Sequence, residues 1–321
     1  MLMSLLFLFA CNNGLTGQVV KETTTVKIGH LPAVHALPFY LALEKGYFAE
    51  EGINVEVVKF DSPNLFVQAL MTGQIDMGST STAAGITSIA ESQKPGELKI
   101  YAVSGSTTLE PNMISEGLLV RKDSVLTSVK DLKGKKLGIL PSIQWRTIAK
   151  DMLVQEGLIA DTDVIMVELA PGLMAQALAT GQIDAVLAIE PVGTTTRLKG
   201  ISKELVHAAV ETYIADPMYA GAGVLRTEFA EKNPETTAKI LKVMRKATVE
   251  MYANPEESRK YLPKYTPLDA DLAEQVPTVV IKYSDEMTNQ DIDALQKFFD
   301  IFYTYNVTQR RVDVRSILYM G

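Results

Sequence analysis

Hydroxyls, imidazoles, carboxylates and one tryptophan are the side chains whose placement could do chemistry. Ser79, Thr80, Ser81 and Thr82 stand in a row, directly before a segment of helical pattern. A helix start leaves about four amide protons unbonded and carries a partial positive charge. Hydroxyls beside those amides would cradle a small anion or a ligand's carbonyl oxygen without a cationic side chain. Ordinary helix capping is the structural alternative. Ser142, ahead of the segment that begins at Gln144, offers a second such end, and Ser104 follows another strand pattern. Trp145, the sole tryptophan, suits the aromatic wall of a ligand site. Arg146 beside it points about 100° away around a helix, so the two do not share one wall. Glu190 could accept a bond from an amine or serve as a first-turn acid, and Asp61 and Glu168 end two further strand patterns.

His30 and His35 also admit a metal reading, with Asp61, Glu168 or Glu190 completing a ligand set. Their spacing matches no familiar metal motif, and no metal or cofactor is expected. No Gly-x-Ser-x-Gly elbow and no phosphate-binding loop occurs. The one cysteine, Cys11, lies at the end of an N-terminal apolar run, which excludes an internal disulfide, a cysteine-built zinc site and a thiol nucleophile in the body of the chain. Lys and Arg number 31 against 38 Asp and Glu, so a basic face for nucleic acid has no support. These features predict binding rather than catalysis.

The elements that must position these residues alternate strand with helix. Strands are expected at 26–30, 54–58, 75–78, 98–103, 135–140, 164–168, 183–189 and 206–209. Helices are expected at 38–50, 64–72, 82–91, 144–156, 173–180 and 191–198, with a C-terminal tract from Phe229 that reads as helical and strandless. The pattern predicts an α/β fold with mixed sheets covered on both faces. At 321 residues, two lobes are expected. A repeat supports this: Gln68–Asp76 and Gln176–Asp184 differ only at Met71 against Ala179, 108 positions apart. Each copy reads as a short helix, a glycine in a left-handed cap and a strand start. Ligands of open α/β sheets bind beyond the carboxyl ends of the strands, where all the candidate residues fall.

Residues 1–10, MLMSLLFLFA, are too few to span a bilayer, which takes about 20, but suit the apolar part of an export signal. Residues 11–25 then read as a polar tether ahead of the folded body. The sequence Leu8-Phe9-Ala10-Cys11 resembles a bacterial lipobox, which implies a lipidated Cys11 held at the outer face of the cytoplasmic membrane.

Three further stretches carry a family resemblance: Leu37–Ile53 (LPFYLALEKGYFAEEGI), Ala69–Asp76, and Val129–Gly138 (VKDLKGKKLG). With the second repeat and Glu190-Pro191, they resemble the solute-binding proteins of ABC importers for nitrate, sulfonates, bicarbonate, taurine and thiamine-pyrimidine precursors. The resemblance spans about residues 26 to 260. It implies a two-lobed, type II periplasmic-binding-protein-like fold, with lobe 1 from 26–118 and 221–321 and lobe 2 from 119–220. The two crossings are expected near Leu118–Val120 and Tyr219–Gly223. It further implies a monomer that captures a small ligand and delivers it to a permease and an ATPase. Relatives of this fold that act on pyrimidine or menaquinone-type precursors keep an enzymatic alternative open.

Overall fold

A computed structural model describes residues 23–110, 112–114 and 116–321. The expected signal, Cys11 and the tether up to residue 22 lie outside the described residues. The chain runs β1 (Thr24–His30), α1 (Leu37–Glu44), α2 (Tyr47–Glu50), β2 (Ile53–Lys59), α3 (Pro63–Met71), β3 (Met77–Ala83), α4 (Ala84–Gln93) and β4 (Leu98–Ser106). After a first crossing come β5 (Leu118–Arg121), β6 (Lys136–Ile139), α5 (Ile143–Gln155), β7 (Ile165–Glu168), α6 (Pro171–Ala179), β8 (Ala185–Leu187), α7 (Val192–Leu198), β9 (Ser202–Val206) and α8 (Ala209–Tyr213). A second crossing leads to β10 (Met218–Arg226), α9 (Thr227–Lys232), α10 (Pro234–Ala253), α11 (Pro255–Arg259), α12 (Leu262–Tyr265) and α13 (Ala270–Ala273). The chain closes with β11 (Val280–Tyr283), α14 (Asn289–Thr304) and α15 (Val314–Ile317).

The strands form two mixed sheets, ordered β11-β4-β10-β3-β1-β2 and β7-β6-β8-β5-β9. β1 pairs in parallel with β2 and β3, and β6 with β7 and β8, as helical crossovers require. β10 enters the first sheet antiparallel to both β3 and β4, and β5 enters the second antiparallel to β8 and β9. Leu118–Val120 and Tyr219–Gly223, near which the crossings are expected, are themselves strands inside the two sheets. The chain changes sheet just before each of them, and the two connections are tied together. Thr107 Oγ1 donates to Asp216 Oδ1 at 2.7 Å, and Glu116 N donates to Glu211 Oε1 at 3.0 Å.

The repeat does one job twice. Gly73 and Gly181 end their helices at φ 72° and 73°, in the left-handed region that glycine tolerates. Three residues later the backbone turns into the sheet. Asp76 Oδ2 accepts from Lys27 N at 2.9 Å, and Asp184 Oδ2 accepts from Lys136 N at 2.8 Å. Each aspartate thus clips the helix-to-strand turn onto the first parallel strand of its own sheet.

Three expectations are corrected. The C-terminal tract contains β11, a short edge strand on β4. Residues 206–209 are not a strand. The strand is 202–206, an edge whose Lys203 and Glu204 face solvent and mask its pattern, while Ala209–Tyr213 is helix. Finally, Ser79–Thr82 lie within β3 rather than at a helix start, because β3 continues to Ala83 with every residue buried. Both faces are covered, so no alternation shows in the sequence. One continuous apolar cluster joins the sheets, running from Phe66 and Val103 through Phe302 to Trp145, Ile148 and Val186.

Candidate ligand-binding cleft

Between the lobes lies a cavity of about 550 Å³, within the size range of small-molecule sites. Lobe 1 contributes the loop after β1 (His30–Ala33), Lys59, Asp61 and Pro63. Lobe 2 contributes Leu140, Pro141, Ile189 and the first turn of α6. The segment Lys264–Pro267, beyond the second crossing, closes one side. Leu31, Ala33, Pro63, Leu140 and Ile189 also line a smaller recess of about 60 Å³, which continues to His35, Ser81, Gln144, Trp145, Ala220 and Gly221. Among the described residues, no charged side chain lines the recess, and those on the outer cavity that carry charge are Lys59, Asp61 and Lys264. Lys59 pairs with Asp61 at 3.0 Å, and Lys264 with Glu44 at 2.6 Å.

His30 and His35 are both neutral, for one reason. Burial depresses His30 below the usual histidine value and pushes His35 down to about 4, since a buried imidazolium loses its hydration. The Tyr40 hydroxyl donates to Leu31 O at 3.0 Å, so its 3.0 Å contact with His30 Nδ1 makes the imidazole the donor. Hydrogen-bond arithmetic thereby assigns the proton to Nδ1 and leaves Nε2 an acceptor. Tyr265 stacks on Tyr40 with centroids 4.4 Å apart and stands edge-on to His30 at 6.2 Å. The outer cavity is thus a largely apolar chamber with one tyrosine ring, Tyr265, and one imidazole acceptor. The metal reading finds no support. Among the described residues no group of three or more His, Cys, Asp or Glu is placed to hold an ion.

The hydroxyl row divides by strand alternation. Ser81 lines the recess, accepting from Leu31 N at 2.9 Å and lying 2.9 Å from Ser79 Oγ. Thr80 points to the other face and donates to His35 O, while Thr82 donates to Ser79 O at 2.9 Å. Ser79, Thr80 and Ser104 are wholly buried and line neither space. Ser142 is an N-cap, its hydroxyl accepting from Trp145 N at 3.2 Å, so the capping alternative holds there. Glu168 lies outside both spaces, paired with Arg146 at 3.1 Å. Glu190 is turned back into lobe 2, where it accepts from Thr194 N at 3.1 Å, and Arg197 lies 3.6 Å away. Of the predicted residues, the fold gathers His30, His35, Asp61, Ser81 and Trp145 at the cleft.

Two participants lie beyond the predicted residues. Tyr265 arrives from the C-terminal tract, whose aromatic-lysine-proline run (Lys264, Tyr265, Pro267) is the only signal it carries in the sequence. Gln144 sits between Ser142 and Trp145, and its buried amide spans the lobes. Gln144 Oε1 accepts from Gly85 N at 2.8 Å, and Nε2 donates to Ala220 O at 3.0 Å.

Residues 33–258 match the family model described as NMT1/THI5 like, which covers most of the chain and, of this cleft, all but His30–Pro32 and the C-terminal wall. The chain belongs to the NMT1/THI5-like family. Within that family it is 26% identical to a putative aliphatic sulfonates-binding protein of Bacillus subtilis, over 99% of this chain and 92% of that protein. It is 24% identical to the 4-amino-5-hydroxymethyl-2-methylpyrimidine phosphate synthase THI13 of Saccharomyces cerevisiae, over 78% of this chain and 74% of that protein. Its fold is that of the alkanesulfonate-binding protein SsuA from Xanthomonas axonopodis pv. citri, bound to MOPS. The TM-score is 0.73 at 22% identity, over 93% of this chain and 99% of that one. This NMT1/THI5-like chain is therefore a two-lobed α/β protein of periplasmic-binding-protein type.

Proposed function

We propose that the chain is the extracytoplasmic binding component of an ABC importer, tethered through a lipidated Cys11 and capturing a small organic ligand between its lobes. The observation that carries the reading is the lining of the cleft. A nitrate-sized ion would leave most of a 550 Å³ cavity unfilled, and the uncharged recess gives it no cation. An organic ligand would seat its apolar body against Leu31, Leu140, Ile189 and Trp145. A donor group on it would lie toward His30 Nε2, and an anionic head toward Lys59 and Lys264. Similarity to sulfonate-binding proteins supports this ligand class, and the Tyr265 ring beside an apolar wall would also suit a precursor pyrimidine. Capture works because a ligand touching both lobes favours the closed state by its differential affinity. The permease and ATPase would then read the closed monomer.

A second reading, turnover of a pyrimidine-type precursor, is favoured by the likeness to the yeast synthase and by the acceptor Nε2 of His30. Calorimetric titration with alkanesulfonates, nitrate, bicarbonate and an aminopyrimidine, followed by mass analysis of the recovered ligand, separates the two. Binding with the ligand recovered unchanged supports capture. Conversion of the ligand supports the enzyme and overturns the capture reading.

A further inference from the structure

His30 turns one edge of its ring to the core and meets the cleft with the other. Its Nδ1 lies 3.0 Å from the hydroxyl of Tyr40, a wholly buried residue that does not line the cavity, whereas His30 does. That hydroxyl has one proton, and it goes to Leu31 O at 3.0 Å. Tyr40 Oη therefore receives from Nδ1, and Leu31 O is a second acceptor at the same ring. A neutral imidazole holds a single ring proton, so Nε2 is an acceptor only. Moving the proton to Nε2 would set the lone pair of Nδ1 against those of Tyr40 Oη in a dry site, or strip Leu31 O of the hydroxyl proton. The tyrosine is itself held in place. Tyr265 stacks on it with ring planes 5° apart, and the Tyr265 hydroxyl donates to Glu44 Oε1 at 2.5 Å.

We propose that Tyr40 is a positioning residue that sets the ligand class of the cleft. By keeping the His30 proton on Nδ1 it makes Nε2 a fixed acceptor, and the ligand is a small organic molecule that brings an N–H or O–H donor to it. The selection rests on the cleft being the ligand site, as proposed above. A ligand bound there displaces water from Nε2, and one without a donor leaves that nitrogen unpaired. An apolar wall distinguishes isosteres weakly, whereas a buried polar group that loses its partner rejects the wrong ligand strongly. Lys59 and Lys264 cannot take over the task, because an ammonium only donates and answers to negative charge. Charge and donor are thus separate requirements, met by separate residues.

The tautomer is read by nitrogen-15 resonance of the histidine rings. The chain has three histidines, and the His30 signals are identified by their loss in His30→Gln. The expected result is a protonated Nδ1 and a pyridine-type Nε2 in the wild type, and a mixture of tautomers in Tyr40→Phe. Selection is read by calorimetry with pairs that exchange a donor for a methyl group of like size: 2-hydroxyethanesulfonate against propanesulfonate, and 4-amino-2-methylpyrimidine against 2,4-dimethylpyrimidine. In the wild type the donor-bearing member binds roughly 5- to 150-fold tighter, the cost of one unpaired buried acceptor. In Tyr40→Phe, which keeps the ring under Tyr265, that ratio falls toward one. A merely structural Tyr40 would weaken both members of a pair alike. A proton on Nε2 in the wild type overturns the proposal, and this arm needs no ligand. Equal affinities within each pair in the wild type, or a ratio untouched by Tyr40→Phe, overturn it as well. If neither pair binds, it is the capture reading that falls, while the ring nitrogens still decide for or against Tyr40.

Discussion

Thr80 and Ser81 are neighbours of nearly equal chemistry, and strand geometry gives them different work. Ser81 Oγ is on the recess wall, whereas Thr80 secures the carbonyl of His35 from the opposite face of β3. Thr80→Val keeps the shape and strands that buried carbonyl. It should cost about 1–3 kcal/mol in denaturant unfolding, with ligand affinity unchanged; a loss of affinity at unchanged stability would place Thr80 in the site instead. His35 makes a pH prediction. Its folded value, about 4, lies below the usual 6.5, so the unfolded chain binds the extra proton between those values. The stability that neutral His35 contributes is then complete above about pH 6.5 and is lost as pH falls toward 4. Melting curves of His35→Gln should fall less steeply than the wild type across that window. At this scale the sequence was a partial guide. Trp145 and the histidines announce themselves by type. Gln144 does not, because an amide in a helix reads as surface until both its partners are known.

Elements were legible where a local signal forces them. The repeat made the helix-cap-strand unit visible twice, and the structure adds what the spacing could not say: Asp76 and Asp184 each clip a backbone amide of their own sheet. Gly181→Ala must hold an L-residue at φ 73° with the Arg121 guanidinium 3.0 Å from the new carbon. A destabilisation of about 1–2 kcal/mol is expected in urea unfolding; a neutral result would contradict the capping role. The elements that escaped lack such signals. β3 is small and polar yet wholly buried, so its hydroxyls look like a loop. β9 and β11 are short edge strands, one masked by its charges and the other set among helices.

At the scale of the molecule, two lobes follow from length and repeat, but the crossings do not, because their pairing involves residues about 100 apart. The carboxyl of Glu116 is fully buried there with neither oxygen bonded, and Glu211 and Glu190 lie near it. Desolvation first, then those two neighbours, raise Glu116 well above the ordinary carboxylate range. A raised folded value means that its contribution is present below about pH 4.5 and is lost as pH rises through that folded value. Glu116→Gln, neutral throughout, should therefore gain stability relative to the wild type as the buffer is taken from acid to pH 8. A constant difference across that range would show that Glu116 does not titrate with folding.

The central claim is capture of an organic ligand by apolar contact in a two-lobed cleft. Calorimetric titration with linear alkanesulfonates of increasing length tests it most directly. Each added methylene that enters the recess contributes about 0.8 kcal/mol, close to a four-fold gain in affinity. The predicted result is one site per chain, affinity rising with chain length until the cavity is full, and the sulfonate recovered intact. Binding of nitrate as tight as that of the longer sulfonates, or affinity independent of chain length, would contradict it.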